Sequence, residues 1–261
     1  MNDLILETFT HIILFTCSTL ANILSAISGG GAGFIQFPIL ILLGLPFMPA
    51  LGTHKASTLL LGLGSLMRKG TIYDLNFKIA FILVAVGIPG CILGTYLVSL
   101  IDEKKAELGL GILTIAMAIY SFISKSMDHK AAQRKISLSS FLAGILAIFF
   151  AAILSGSLSS GAGLFATMFM ITFFGLDIKR AISYSVIFIG SLWNFVGAAT
   201  VYQISYIQWD WVPTLLLASF TGGYLGARLL KYLSPRTVRY IFAAVSLVSG
   251  IILIHSSLEL I

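Results

Sequence analysis

The chain has 261 residues, of which 58% are hydrophobic and 10% charged, against about 45–50% and about 25% for an ordinary soluble domain. That composition excludes a soluble globular fold and points to an all-α polytopic membrane protein. With 16 Lys+Arg against 10 Asp+Glu the formal charge is +6, and in a membrane chain its meaning depends on position rather than on a nucleic-acid surface.

The first apolar run is preceded by Asp3 and Glu7 and by no Lys or Arg, whereas a secretory signal opens with positive charge; it reads as a retained membrane helix. Crossing the hydrocarbon takes about 20 mostly apolar residues, fewer where a helix is broken inside protein. On that basis ten segments are predicted, at 9–27, 33–47, 50–67, 78–101, 106–124, 138–158, 162–175, 181–201, 210–233 and 238–257. The second and seventh are short. Each follows a Gly-rich break, Ser28-Gly29-Gly30-Gly31-Ala32-Gly33 and Ser157-Leu158-Ser159-Ser160-Gly161-Ala162-Gly163. The third opens on a polar cluster, Gly52-Thr53-His54-Lys55-Ala56-Ser57-Thr58, in which a helical register makes Thr58 a neighbour of both His54 and Lys55. Residues 125–137 form the one clearly polar stretch.

If all ten segments span, one side collects Arg68, Lys69, Lys78, Lys125, Lys130, Arg134, Lys135, Lys179, Arg180, Arg228, Lys231, Arg236 and Arg239, and the other only Lys55, Lys104 and Lys105. The first side is then cytoplasmic and both termini lie outside. Making the short segments re-entrant spoils this asymmetry. Tyr202, Tyr206, Trp209 and Trp211 surround a loop without Lys or Arg and read as an outer interfacial belt.

Sliding the chain on itself brings Gly31-Ala32-Gly33 onto Gly161-Ala162-Gly163 at an offset of 130, Gly44-Leu45 onto Gly175-Leu176 at 131, and Gly90 to Gly94 onto Gly222 to Gly226 at 132. Two homologous halves of five segments follow, 1–124 and 138–261, joined by a cytoplasmic linker at 125–137 in one membrane domain. An odd number of segments turns the second half upside down, the inverted-repeat plan of many secondary transporters. The paired Gly-x-x-x-Gly motifs read as close-packing positions between helices.

Freed backbone N–H groups are tolerated in a bilayer only where they are buried or line a cavity, and a short helix after a break offers its positive N-terminal end to an anion. The candidate substrate-binding residues are therefore Gly29, Gly30, Gly31, Gly33, Ser159, Ser160, Gly161 and Gly163, with Thr53, His54, Lys55 and Ser185 as side-chain contacts. Asn22, Gln36 and Asn194 are assigned to hydrogen bonding between helices. The ten acids, from Asp3 to Glu259, lie at segment ends or in loops, so no span has the central carboxylate that a cation carrier or carboxylate proton relay usually needs. If a proton is coupled to transport, His54 is one of few titratable groups near the path. Cys17 and Cys91 sit inside apolar stretches without metal-ligand spacing to the four histidines, so no disulfide framework, metal site or cofactor is expected.

The stretch Gly29-Gly30-Gly31-Ala32-Gly33-Phe34-Ile35-Gln36-Phe37-Pro38, followed by Gly44-Leu45-Pro46, Gly52-Thr53-His54-Lys55 and Arg68-Lys69-Gly70, resembles the TauE/SafE sulfite-exporter family, also called TSUP. The echo from Gly161 to Gly163 through Ala181 and Trp193-Asn194 fits too, so the likeness covers nearly the whole chain. It implies a bacterial inner-membrane carrier that exports, or in some members imports, sulfite or sulfur-containing organic anions such as sulfoacetate. Relatives often carry Asn where this chain has His54. Met168 and Val186 stand where the repeat would place counterparts of Pro38 and Lys55.

The reading is a secondary transporter of small anions working by alternating access, with a channel-like anion pore on the same plan as the second reading. From another class, an intramembrane hydrolase using Ser157, Ser159 or Ser160 would need a histidine base that nothing in the sequence marks. Expected partners are a small anion, with or without a coupled proton, and the lipid bilayer; a homodimer is open to the chain, and no nucleic acid is expected.

Overall fold

The structure is a computed structural model that describes residues 2–67, 75–123, 137–159 and 161–259. Arg68, Lys69, Asp74, Ser160 and residues 125–136 of the predicted linker lie outside the described residues. The described chain forms α1 (Asn2–Ser28), α2 (Ala32–Leu42), α3 (Phe47–Ser57), α4 (Leu59–Leu66), α5 (Phe77–Ser99), α6 (Glu103–Ile123), α7 (Leu138–Leu158), α8 (Ala162–Phe174), α9 (Ile178–Tyr184), a π-helical stretch (Ser185–Trp193), α10 (Asn194–Ile204), α11 (Val212–Leu230) and α12 (Pro235–Glu259). Every predicted segment has a helical counterpart. Among the described residues four helical runs, Ile5–Ser28, Phe77–Ser99, Leu138–Leu158 and Ile178–Ile204, are long and apolar enough to cross a membrane.

Helix starts follow from local chemistry, because the first N–H groups of a helix lack helical acceptors. Asn76 caps α5 by accepting from Lys78 N, Ser137 caps α7 from Ser140 N at 3.2 Å, and Asp177 caps α9 from Arg180 N at 3.0 Å. Asp102 accepts from Lys105 N at 3.3 Å at the start of α6. Asp102 and Asp177, kept at segment ends, thus serve as caps and complement the positive helix ends.

The third and eighth segments depart from the continuous helices expected at 50–67 and 181–201. Thr58, at φ −86° and ψ 1°, separates α3 from α4, and the eighth segment changes from α to π and back. At the first of these, the Ser191 hydroxyl of the eighth segment takes up backbone groups that a regular helix would bond itself.

Packing pairs the helices across the chain. α1 lies along α11, α5 along α7, and α6 along α12. Small residues let these backbones meet. A Cβ on Gly90 would stand 2.7 Å from Ala152 Cβ, and one on Gly94 would run into the Ile153 carbonyl. Equally, a Cβ on Gly226 would lie 2.6 Å from both Ala26 Cβ and the Ile23 carbonyl oxygen. Both Gly-x-x-x-Gly motifs therefore bring helices together, α5 to α7 and α11 to α1, through dispersion contact rather than hydrophobic transfer.

The core holds Trp193, Tyr184, Phe34, Phe165 and Met170 in one cluster and Phe37, Phe47, Leu51 and Leu215 in another, with Phe37 and Phe47 edge to face at 5.2 Å. Trp193 Nε1 donates to the Leu83 carbonyl at 2.8 Å, satisfying the indole where α5 passes at Gly87. Large apolar side chains also face outward on the long helices: Phe81 is 71% and Leu146 70% exposed. An apolar exterior of this kind belongs in lipid.

Candidate functional site

The two Gly-rich breaks cross. Gly29, Gly30 and Gly31 between α1 and α2 have φ of 90°, 159° and 107°, and a Cβ on Gly30 would lie 3.0 Å from Gly163 Cα. Such backbone-to-backbone contact, together with left-handed φ at Gly29 and Gly31, requires glycine. The carbonyl of Ser25 closes the end of α1 by accepting from Gly29 N at 2.8 Å and Gly30 N at 3.0 Å. On the other side, Gly161 (φ 81°) leads into α8, whose Gly163 carbonyl accepts from Thr167 Oγ1 at 2.7 Å and Ser185 Oγ at 2.5 Å. The N-termini of α2 and α8 thus start next to each other, deep in the bundle.

Beside the crossing is a cavity lined by Ser25, Gly29, Gly30, Gly31, Ala32, Gly33, His54, Thr58, Leu61, Ser159, Gly163, Ser185, Val186, Ile189, Gly190 and Asn194. The space open to the centre of a water-sized sphere is about 20 Å³, room for about one water molecule. Its walls carry hydroxyl, amide, imidazole and helix-start N–H groups and, among the described residues, no Asp or Glu.

Three linkages hold the wall in shape. Gln36 Nε2 donates to Ser57 Oγ at 2.6 Å, so Gln36 Oε1 is the acceptor facing His54 Nδ1 at 3.2 Å, and Nε2 of that ring is the nitrogen left for a ligand. Asn194 Nδ2 donates to Thr58 Oγ1 at 2.7 Å. Ser159 Oγ donates to Asn194 Oδ1 at 3.3 Å. That last bond directs the serine hydroxyl to an amide rather than to His54, although both residues line one cavity.

Of the residues singled out in the sequence, Gly29, Gly30, Gly31, Gly33, His54, Ser159, Gly163 and Ser185 line the cavity. Gly161 sets the start of α8 without lining it, and Ser160 is outside the described residues. Thr53 points elsewhere, its hydroxyl accepting from Gln208 N at 3.0 Å. Lys55 is fully buried but also turned away: its ammonium donates at 2.5 Å to the carbonyl of Ser155, in the last turn of α7, and its stem lies against Gly197. A cation at that place offsets the negative end of α7.

Ser25, Thr58, Gly190 and Asn194 join the wall beyond the sequence-predicted set. Thr58 was legible as the helical neighbour of His54. Asn194 was read only as a residue bonding between helices: the repeat offset of 131 pairs it with Leu63, so no polar counterpart marks it for the site. Gln36 and Asn194 do bond between helices, whereas Asn22 Nδ2 bonds within α1, to the Ser18 carbonyl at 2.7 Å.

Fold and site together describe a polytopic membrane protein that encloses a small polar cavity at two crossed helix breaks. The chain belongs to the family described as sulfite exporter TauE/SafE, which matches residues 14–253. Among its relatives are a probable membrane transporter protein of Haemophilus influenzae, 27% identical over 87% of this chain and 88% of that one, and the probable membrane transporter protein YjnA of Bacillus subtilis, 28% identical over 88% and 94%. A third, the probable membrane transporter protein ORF9 of a Sinorhizobium species, is 24% identical over 91% and 90%. No solved structure gives a significant match. The chain is thus a member of a family of membrane transporters, and an integral membrane protein.

Proposed function

We propose that the protein is a secondary transporter that exports small sulfur-containing anions, sulfite or organosulfonates, by alternating access of two inverted five-segment halves, in a bacterial inner membrane with both termini outside. The observation that carries the reading is the crossing of the two Gly-rich breaks beside a cavity whose described walls are polar and hold no carboxylate. An anion there meets the helix-start N–H groups of α2 and α8 and the His54 ring, and gains the Thr58, Ser159 and Asn194 donors only by exchanging the protein acceptors they hold here, which suits the several oxygens of a sulfite or sulfonate group.

The exchange of helices between halves supports the inverted plan. The first helix of each half packs on the fourth of the other, α1 on α11 and α7 on α5, and the two fifth helices pack together. The cavity has room for about one water, so the form described is closed, and a sulfonate enters only when the walls part. That fits a carrier better than an open pore. His54 is the group by which a proton would be coupled to the anion.

The test is efflux and uptake of labelled sulfite, sulfoacetate, sulfate and acetate in proteoliposomes. Saturable flux driven by a gradient is expected, with sulfur-containing anions preferred. Flux of none of these anions would overturn the transporter reading, and conductive flux that does not saturate would replace the carrier by the pore. Reporter fusions at either end check the orientation.

A further inference from the structure

Ser191, in the π-helical stretch, lies on an apolar groove of about 210 Å³ whose lining includes Leu63 and Phe195. This groove and the polar cavity have no lining residue in common: Thr58 and Leu61 face the cavity, Gly62 and Leu63 the groove. A hydroxyl in such surroundings costs free energy unless it is hydrogen-bonded. Its partner is backbone. Gly62 N donates to Ser191 Oγ at 2.7 Å.

In an unbroken helix the Gly62 N–H would reach the carbonyl of Thr58, four residues back. Here that carbonyl accepts from Leu61 N at 3.0 Å in a tightened turn and from the Ser191 hydroxyl at 3.5 Å. The hydroxyl therefore occupies the place of a missing rung in the helical ladder. The fit is close, since a Cβ on Gly62 would stand 2.6 Å from Ser191 Oγ and 3.1 Å from Ile187 Cα. On the cavity side of the same contact, Asn194 Nδ2 holds Thr58 Oγ1 at 2.7 Å.

We infer that Ser191 is a positioning residue: by accepting the Gly62 amide left over at the break, it maintains the bend at Thr58 and thereby sets Thr58 and Asn194 at the wall of the cavity. The substituted rung joins α4 to the π-helical stretch, 129 residues apart in sequence, so it exists only while those elements are together. Its effect on the ligand rests on the cavity being the anion site; its effect on the helix does not.

The experiment uses the full chain, reconstituted for flux and in detergent for amide exchange. Ser191→Ala is expected to speed exchange in residues 59–66 and to raise the Michaelis constant for the carried anion about tenfold, the cost of leaving a buried donor unpaired, with the maximal rate kept within about twofold. Ser191→Thr, which restores the hydroxyl, is expected to return both values toward wild type. Unchanged exchange in Ser191→Ala overturns the proposed bond. Faster exchange with an unchanged Michaelis constant, or a Thr variant as defective as Ala, overturns the positioning role. If the wild-type protein carries no anion, the reading of the cavity fails while exchange still decides the bond.

Discussion

The crossing of the two breaks gives a sharp prediction at Gly163. In Gly163→Ala the new Cβ would lie 3.0 Å from Gly30 Cα and closer still to the Gly29 carbonyl oxygen. Carbon atoms in ordinary contact sit about 3.5–4.0 Å apart. Both neighbours are backbone, so no side chain can swing aside, and the breaks have to part by about 0.5–1 Å. Overpacking of this kind costs about 1–3 kcal/mol, and a backbone-on-backbone clash belongs in the upper half of that range. Because the strain falls on the crossed arrangement, about 2–3 kcal/mol corresponds to an about 30- to 150-fold lower population of that form relative to the parted one, and flux by alternating access should change with it. The assay is initial-rate anion flux in proteoliposomes across substrate concentrations, beside a melting curve in detergent. The control is Gly109→Ala on α6, where an added Cβ meets nothing within 4 Å and flux should stay at wild-type level. Wild-type flux by a folded Gly163→Ala protein would refute the crossing as the working site.

Three further outcomes follow from the same geometry. Lys55→Met keeps a stem of similar length against Gly197 but removes the charge at the end of α7; across a helix width of about 10 Å and an effective dielectric constant of about 20, that charge is worth about 1.5 kcal/mol to an anion, so affinity should fall about tenfold while expression is retained. Unchanged affinity would remove Lys55 from the electrostatics of the site. His54→Gln should flatten the dependence of flux on pH if this imidazole couples a proton; an unaltered pH profile would exclude His54 as the coupling group. Gly94→Val should lower the melting temperature in detergent, because its side chain would run into the Ile153 carbonyl where α5 meets α7; the overpacking costs about 1–3 kcal/mol, and an unshifted melting curve would count against that interface.

Much of the architecture was legible because a bilayer allows few solutions. Apolar runs of sufficient length announced the helices, and the segment at 138–158 agrees residue for residue with Leu138–Leu158. The Gly-rich breaks were visible as clusters of small residues next to shortened segments, and α2 and α8 begin within them, at Ala32 and Ala162. The glycine pairs at 90 and 94 and at 222 and 226 announced close packing, because spacing of four places both residues on one helix face.

What one chain's sequence determined here is what local chemistry controls: length of apolar run, helix starts at Asn76, Ser137 and Asp177, and flexibility at the breaks. Tertiary structure decided which polar groups meet. Lys55 and His54 are adjacent in sequence, yet a turn of 100° per residue sends one to the end of α7 and the other to the cavity, and only the neighbouring helices determine which face is which. The bend at Thr58 has the same origin. Ser57 and Thr58 weaken the helix locally by donating to the carbonyls of His54 at 2.6 Å and Lys55 at 3.1 Å, but the groups that complete the bend, the Ser191 hydroxyl and the Asn194 amide, arrive from more than 125 residues away. A missing rung is stable only where another part of the chain supplies a partner, and that is a property of packing rather than of local sequence.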